Sequence, residues 1–196
     1  DGDTPGLAAG AKEHKMGFRL SDTTEVVLEN VRVPRSAVIG EVGCGMSIAL
    51  NALNLSRAFI STLAVGIMQR ALDEAVAYAK QRKQFGKRLI DFEMVQQMLA
   101  DMAIKTEAAR VLVNNCMRQM DAGEMVRKDG AIVKTFVTDA MQEVVSNAVQ
   151  VLGGYGYSEE YPVEKLMRDA KIFQIFEGSN QIQRMTIAKE LDREYR

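Results

Sequence analysis

Beyond Gly45, apolar side chains recur every three or four residues through three long segments, which is the spacing of one helix face. The second segment is the most regular, because its apolar row steps alternately by four and three. That row comprises Val95, Leu99, Met102, Thr106, Ala109, Val113, Cys116 and Met120. The first segment offers Leu53, Ile60, Leu63, Ile67 and Ala71, and the third offers Val133, Phe136, Ala140, Val144, Ala148 and Val151. Three long helices packed together are therefore predicted.

Glycines punctuate this pattern at the points where the helices should end. Gly86 follows the first segment, Gly123 the second and Gly153-Gly154 the third. Two shorter helices are expected around residues 163–173 and 179–193. Short loops between long helices favour an up-down arrangement, so residues 41–196 are predicted to form a mainly α, four-helix-type bundle.

The N-terminal part has a different pattern. Residues 1–15 are rich in Gly, Ala, Asp and Lys and are predicted to be a loop, whereas residues 16–33 indicate a β-hairpin that stops before Pro34. A lone hairpin is only marginally stable in water, which suggests that residues 1–40 belong to the end of a larger sheet. Since the chain starts at Asp1, we expect an excised, processed or truncated piece in which any targeting peptide would be invisible.

Composition excludes several classes of function. A net charge of −1 offers no footprint for nucleic acid, and no apolar run is expected to reach the roughly 20 residues that span a bilayer. Two cysteines are too few for a disulfide framework, and His14 is the single histidine, so no metal site is predicted. The glycine-rich segment 40–45 is either a flexible entry to the first helix or a phosphate-binding loop, and it lacks the Lys-Ser/Thr ending of the latter.

Candidate chemistry concentrates between residues 150 and 183. Glu177 follows Phe176 and precedes Gly178, and a carboxylate among apolar side chains is poorly hydrated, which suits a proton acceptor. The glycine allows a ligand or backbone to approach closely. The alternative is an acidic residue at the N-terminus of a helix, with no chemical role.

Five collinear segments carry a family resemblance. They are Gly17–Thr23, Arg82–Gly86, Leu99–Met102, Gln150–Gly154 and Tyr161–Gln183. Together they resemble acyl-CoA dehydrogenases, in particular the medium-chain type, over nearly the whole chain. The resemblance implies the end of a middle β domain in residues 1–40 and a C-terminal helical bundle in residues 41–196.

The resemblance also implies an activity: FAD-dependent α,β-dehydrogenation of acyl-CoA thioesters to trans-2-enoyl-CoA, with Glu177 as the base. The backbone N–H of Glu177 would polarise the thioester carbonyl. Some related enzymes carry the base at the position of Ser56, where a hydroxyl cannot replace it, so Ser56 and Arg57 are expected to line or orient the substrate pocket. Phe176 and Gly178 are expected beside them, with Phe176 in place of a frequent Tyr.

Cofactor contacts follow from the same likeness. The residues expected to reach a neighbouring subunit's FAD are Arg82, Gln84, Phe85, Gln150, Gly153 and Gly154, and those expected to bind the chain's own FAD are Ser179 and Gln181. These contacts imply a homotetramer, a dimer of dimers. An electron-transferring flavoprotein is the expected acceptor, in the cytoplasm of a bacterium or the mitochondrial matrix of a eukaryote.

Two alternatives stay open. An acyl-CoA oxidase would return electrons to oxygen, and a catalytically idle helical module would serve only oligomerisation or partner binding. Because the strands expected to face the flavin are not among these residues, the 196-residue piece alone is expected to be a poor catalyst.

Overall fold

The fold is a helical bundle with two small hairpins, shown by a computed structural model that describes residues 2–124 and 126–195. Its helices are α1 (Gly45–Gln81), α2 (Glu93–Asp121), α3 (Arg127–Leu152), α4 (Val163–Ala170) and α5 (Asn180–Glu194). The first three pack against one another, and α3 also contacts α4 and α5. The predicted mainly α bundle is confirmed, with α3 at its centre.

The buried face of α2 is the one that the sequence predicts. Its buried positions are Leu99, Met102, Thr106, Ala109, Val113 and Cys116. The Thr106 hydroxyl, a polar group in this row, donates to the Met102 carbonyl of its own helix at 2.8 Å, so its burial leaves no unmet hydrogen bond.

The predicted face of α1 is correct at Ala71, which is buried, and at Ile60 and Ile67, which pack against the core, but it is wrong at Leu63. Leu63 is 55% exposed, whereas the buried positions include the alanines 58, 64, 71, 75 and 79 together with Met68. Small side chains allow the backbones of neighbouring helices to approach closely, so the alanine row packs inward and larger apolar side chains such as Phe59 face outward. Periodicity alone does not separate these two faces, because both are apolar.

The N-terminal hairpin joins β1 (Leu7–Ala9) to β2 (Val26–Leu28) in antiparallel register, with Leu7 opposite Leu28 and Ala9 opposite Val26. The expectation that residues 1–15 form only a loop is therefore wrong. The ladder continues through the amide of Gly10, which donates to the carbonyl of Glu25 at 2.9 Å. The sequence signal failed because β1 consists of Leu and two alanines, without β-branched residues.

A second hairpin, β3 (Lys83–Gln84) and β4 (Lys87–Arg88), stands where the sequence indicates only a break after α1. Its two turn residues, Phe85 and Gly86, have φ angles of 51° and 80°. Two successive positive φ angles are typical of a tight type I′ hairpin turn.

The segment before the bundle is fastened to α4. The amide of Phe18 donates to Oδ1 of Asp169 at 2.5 Å, and Nη1 of Arg168 donates to the carbonyl of Met16 at 2.9 Å. Gly17 lies so close to the Arg168 backbone that an added Cβ would sit 2.5 Å from its carbonyl carbon. Residues 16–18 are thereby fixed against the end of the bundle that carries Glu177.

Helix α1 is long and apolar enough to cross a bilayer on length and composition alone, with a mean hydropathy of 1.4 over 18 residues. On that measure the expectation that no such stretch exists is wrong. Only 28% of this 18-residue stretch is buried inside the structure. The measure is weak evidence for a membrane span, because core helices of helical bundles also reach this length and hydropathy. The buried face of α1 carries the charged side chain of Arg57 and packs on α2 and α3.

Candidate active site

Glu177 lies in a tight bend between a 3₁₀ turn (Lys171–Gln174) and α5. Its φ angle is 56°, and that of Gly178 is 81°. A left-handed conformation is ordinary for glycine, but for a glutamate it is sparsely populated and persists only where surrounding contacts enforce it. The bend therefore holds the Glu177 carboxylate in a defined position.

Ser56, on α1, provides the contact to this carboxylate. Its hydroxyl lies 2.5 Å from Oε2 of Glu177 and 3.2 Å from the carbonyl of Leu53. A hydroxyl has one proton to donate, and the shorter, charge-assisted contact is the stronger of the two. The structure thus brings Ser56 and Glu177 into contact, and the Ser56 hydroxyl orients the carboxylate.

Arg57 follows Ser56 and is buried, with 6% of its surface exposed. Its Nη1 donates to Oδ1 of Asn54 at 2.9 Å, while its buried Nε has no hydrogen-bond partner among the described residues. Burial lowers the pKa of Arg57, and the charge of Arg127 lowers it further, whereas Glu177 opposes both effects. The guanidinium lies near the bend, 3.9 Å from where a Cβ on Gly178 would be.

Gln183, on the first turn of α5, braces the bend from the other side. Its Nε2 donates to the carbonyls of Glu177 at 3.1 Å and Gly178 at 2.9 Å. A Cβ on Gly178 would lie 2.5 Å from this nitrogen, so any larger residue here would displace the Gln183 amide. The side-chain oxygen of Gln183 is buried and unpaired among the described residues.

Lys134, on α3, is the residue at this site that the sequence reasoning missed. Its side chain is fully buried, and its Nζ donates to the carbonyl of Gly178 at 2.9 Å and to Oδ1 of Asn180 at 2.7 Å. One signal was available. Lys134 sits on the same helical row as Ala131, Thr138 and Met141, so a charged residue occupies a core position of α3.

Asn180 connects this lysine to Asp139, a partly exposed acidic residue of α3. Its Nδ2 donates to Oδ1 of Asp139 at 2.7 Å, and Nη2 of Arg184 donates to the other oxygen of Asp139 at 2.6 Å. Hydrogen bonds from Arg184, Gln174 and Asn180 lower the pKa of Asp139 and prevail over the opposing effect of burial. A continuous polar network thus links α3 to the start of α5.

The remaining residues predicted near Glu177 divide into two groups. Phe176 packs against Phe173, with ring centroids 4.9 Å apart, and edge-on against Phe18 at 6.3 Å. Ser179 caps α5, since its hydroxyl oxygen accepts from the amide of Ile182 at 3.5 Å. Gln181 is exposed on the first turn of α5. Ser179 and Gln181 are therefore close to the bend but do not contact Glu177 through any described hydrogen bond.

A second predicted set gathers at the far end of the bundle. Arg82, Gln84, Gly153 and Gly154 line one surface pocket of about 590 Å³, together with Tyr155. The Arg82 guanidinium lies over the Tyr155 ring, 5.6 Å from its centroid. Phe85, at the tip of the second hairpin, is 92% exposed, and Gln150 is exposed on α3; neither lines the pocket.

The glycines of this pocket leave room for a ligand. A Cβ built on Gly153 or Gly154 would meet no atom within 4 Å, so their backbone is open to close approach. A guanidinium beside backbone that a ligand can approach closely suits a phosphate group. Among the described residues, no group of three or more His, Cys, Asp and Glu side chains is placed to hold a metal ion.

Comparison with known proteins identifies the family of this chain. The family profile described as acyl-CoA dehydrogenase, C-terminal domain, matches residues 43–191. Cyclohexane-1-carbonyl-CoA dehydrogenase of Geobacter metallireducens is 44% identical over 194 residues, which are 99% of this chain and 51% of that protein. The chain therefore belongs to the acyl-CoA dehydrogenase family.

Superposition on solved structures agrees with this family assignment. Butyryl-CoA dehydrogenase from Megasphaera elsdenii superposes with a TM-score of 0.95 at 46% identity, covering 96% of this chain and 49% of that one. A chain in a structure of the electron transferring flavoprotein of Acidaminococcus fermentans superposes with a TM-score of 0.95 at 41% identity, covering 96% and 50%. The chain thus spans about half the length of the relatives that it matches.

Proposed function

We propose that the full-length protein oxidises acyl-CoA thioesters to trans-2-enoyl-CoA, using FAD, with Glu177 as the base. The observation that carries this proposal is the fixed carboxylate of Glu177, which the Ser56 hydroxyl holds at 2.5 Å in a bend with a left-handed backbone. Membership of the acyl-CoA dehydrogenase family places the protein among the oxidoreductases. The butyryl-CoA and cyclohexane-1-carbonyl-CoA dehydrogenases set the precedent for a thioester substrate.

Glu177 takes the proton from Cα of the acyl group, and the electron pair left on Cα forms the new double bond as a hydride leaves Cβ. Since an α proton is weakly acidic, negative charge on the thioester oxygen must be stabilised in the transition state, and the backbone N–H of Glu177 is the proposed donor. FAD, when bound, supplies the acceptor for the hydride from Cβ. Ser56, Arg57, Phe176 and Gly178 are the proposed pocket residues around this centre.

The pocket that Arg82, Gln84, Gly153 and Gly154 line fits one phosphate-bearing part of FAD, because it offers a cation and open backbone. Ser179 and Gln181 would bind another FAD molecule. Arg82 follows the last residue of α1, and Ser56 lies roughly 40 Å back along that helix at a rise of 1.5 Å per residue. One cofactor cannot touch both ends, so the far pocket is assigned to the FAD of a neighbouring subunit, which Phe85 and Gln150 would also reach.

This assignment requires more than one subunit, and a homotetramer, a dimer of dimers, is the proposed assembly. The proposed electron acceptor is an electron-transferring flavoprotein, which the similarity to a chain in the Acidaminococcus fermentans structure supports. The proposed domain division is 1–40 for the end of a β domain and 41–196 for the bundle. The proposed location is the cytoplasm of a bacterium or the mitochondrial matrix of a eukaryote.

The deciding experiment compares Glu177→Gln with wild type across a panel of acyl-CoA thioesters, using a dye acceptor. General-base catalysis contributes about 10²–10⁴-fold, so turnover should fall by that factor while the yellow cofactor stays bound. The exposed Glu159→Gln is the matched control and should retain full turnover.

Unchanged turnover in Glu177→Gln would remove Glu177 as the base. Stoichiometric hydrogen peroxide in air would instead identify an acyl-CoA oxidase. Absence of any yellow cofactor, together with no turnover, would favour a non-catalytic helical module.

A further inference from the structure

We propose that Lys134 is a positioning residue for the base: its ammonium fastens the Glu177–Gly178 bend to the central helix α3. The kinetic part of this inference rests on the proposed function, but its structural part does not. Lys134 contacts neither Ser56 nor the Glu177 carboxylate through any described hydrogen bond, so it acts through the backbone that carries the base.

The contacts of Lys134 bracket the bend. Its Nζ reaches the carbonyl of Gly178 at 2.9 Å and the side-chain oxygen of Asn180 at 2.7 Å, one on each side of Ser179. The first contact fixes the residue directly after the base, and the second fixes the first residue of α5. Both ends of the turn are thereby tied to one atom of α3.

The position of Lys134 is unusual for a lysine. The side chain is fully buried, and the acceptors of its described hydrogen bonds are a carbonyl and an amide oxygen rather than a carboxylate. Burial lowers the pKa of Lys134 to about 8, and the charge of Arg57 lowers it too, against Asp139 and Glu177. Burial disfavours the charged amine, and its described acceptors are uncharged oxygens. A lysine at such a position is a structural disadvantage, which points to a functional role for it.

The bend needs such a tether. Glu177 has a φ of 56°, which the local sequence does not favour, so neighbouring contacts must maintain it. The carbonyl of Gly178 receives two donors, Lys134 Nζ and Gln183 Nε2, both at 2.9 Å. Gln183 belongs to α5, whereas Lys134 belongs to α3, the central helix that also packs on α1. Lys134 is therefore the contact that ties the Gly178 carbonyl directly to α3.

Lys134→Met tests this inference, because methionine fills a similar volume without donating a hydrogen bond. The matched control is Lys128→Met on the same helix, whose Nζ pairs at the surface with Glu194 at 2.5 Å. In the full-length holoenzyme, kcat of Lys134→Met should fall by about 10–100-fold, since a misplacement of about 1 Å has effects of that size. KM should stay within twofold and flavin should stay bound, and Lys128→Met should match wild type.

Amide hydrogen exchange provides a second measurement on Lys134→Met, and this measurement does not depend on enzymatic activity. Exchange over residues 176–182 should accelerate at least tenfold in Lys134→Met, with α2 unchanged. If the wild type oxidises no acyl-CoA, the proposed function fails. The exchange result still decides whether Lys134 fixes the Glu177–Gly178 bend to α3. Unchanged exchange over residues 176–182, or acceleration spread over the whole bundle, would overturn the inference. Should Lys134→Met not fold, Lys134→Gln, which keeps a donor on a shorter side chain, is measured in the same way and should show the same local acceleration.

Discussion

The Ser56 hydroxyl and the Glu177 carboxylate lie 2.5 Å apart although 121 positions separate them in the chain. By resemblance, these are the two positions at which acyl-CoA dehydrogenases carry their base. Because the two side chains touch, a carboxylate attached to α1 or to the bend would reach the same place. In this chain the carboxylate is on the bend and the hydroxyl on α1 directs it.

Ser56→Ala should therefore lower turnover without abolishing it. A hydrogen bond to a charged group contributes about 1.5–3 kcal/mol, and if half of that is lost from the oriented state, kcat falls by about four- to thirteenfold. Steady-state kinetics on the full-length protein measure the change. Ser47→Ala, an exposed serine of the same helix that bonds to the carbonyl of Cys44, is the control. A kcat for Ser56→Ala equal to that of the control would contradict the orienting role.

Gly178→Ala should both destabilise the protein and reduce activity. The new Cβ would meet Gln183 Nε2 at 2.5 Å, and the φ of 81° disfavours any side chain. The two effects together should lower the free energy of unfolding by about 2–4 kcal/mol, which the urea midpoint will show. Gly43→Ala separates backbone strain from the collision with Gln183, because Gly43 has a φ of 94° but a Cβ added there would meet no atom within 4 Å. It should show the smaller loss, from backbone strain alone, and equal losses would refute the collision.

Arg82→Met should loosen FAD without disturbing the base. Arg82 lines the far pocket and lies over the Tyr155 ring, so its removal takes away the cation offered to a phosphate. Retention of flavin after dilution, followed by flavin fluorescence, should fall by about tenfold, which corresponds to about 1.4 kcal/mol. Arg88→Met changes an exposed arginine of the same hairpin that pairs with Asp91. Equal flavin retention in both variants would argue against the far pocket as a cofactor site.

The pKa of Lys134 makes stability depend on pH in a defined direction. Burial lowers this pKa from 10.5 to about 8, so between these values the unfolded chain holds a proton that the folded chain has released. Unfolding then takes up a proton and becomes less favourable as the pH rises. From pH 8 to pH 10, the stability of wild type relative to Lys134→Met should increase by about 1–2 kcal/mol.

Urea unfolding at both pH values measures this difference, with Lys128→Met in parallel. The partner of Lys128 is Glu194, which raises the pKa of that lysine, so the control should not show the rise. A wild-type advantage that shrinks between pH 8 and pH 10 would show that Lys134 is not titrating as its burial implies.

Parts of the fold follow directly from the sequence. The apolar row of α2 is predicted residue by residue, because its opposite face is polar and the contrast is clear. On α1 the contrast is missing: Leu63 and Phe59 are as apolar as the buried Ala64 and Met68, and the choice of face depends on how closely α3 approaches. Side-chain size, rather than hydrophobicity, decides that choice.

The candidate site divides in the same way. Glu177, Ser56, Arg82 and Gly154 are found from motifs, and the structure places the first two in contact and the last two in one pocket. The motifs do not identify Lys134, because the oxygens that its Nζ contacts belong to residues 44 and 46 positions further along the chain. No local sequence pattern encodes contacts over that separation.

The distance along the chain between Ser56 and Glu177 has a consequence for folding. Contacts between remote segments form only after the chain has paid the entropy of bringing them together, so they are completed late. An intermediate with α1, α2 and α3 docked and α5 still unattached would have its helices but no fixed Glu177 carboxylate. Recovery of turnover on refolding should lag behind recovery of the helical circular dichroism signal. A partly folded chain of this kind would not remove the α proton of a bound thioester.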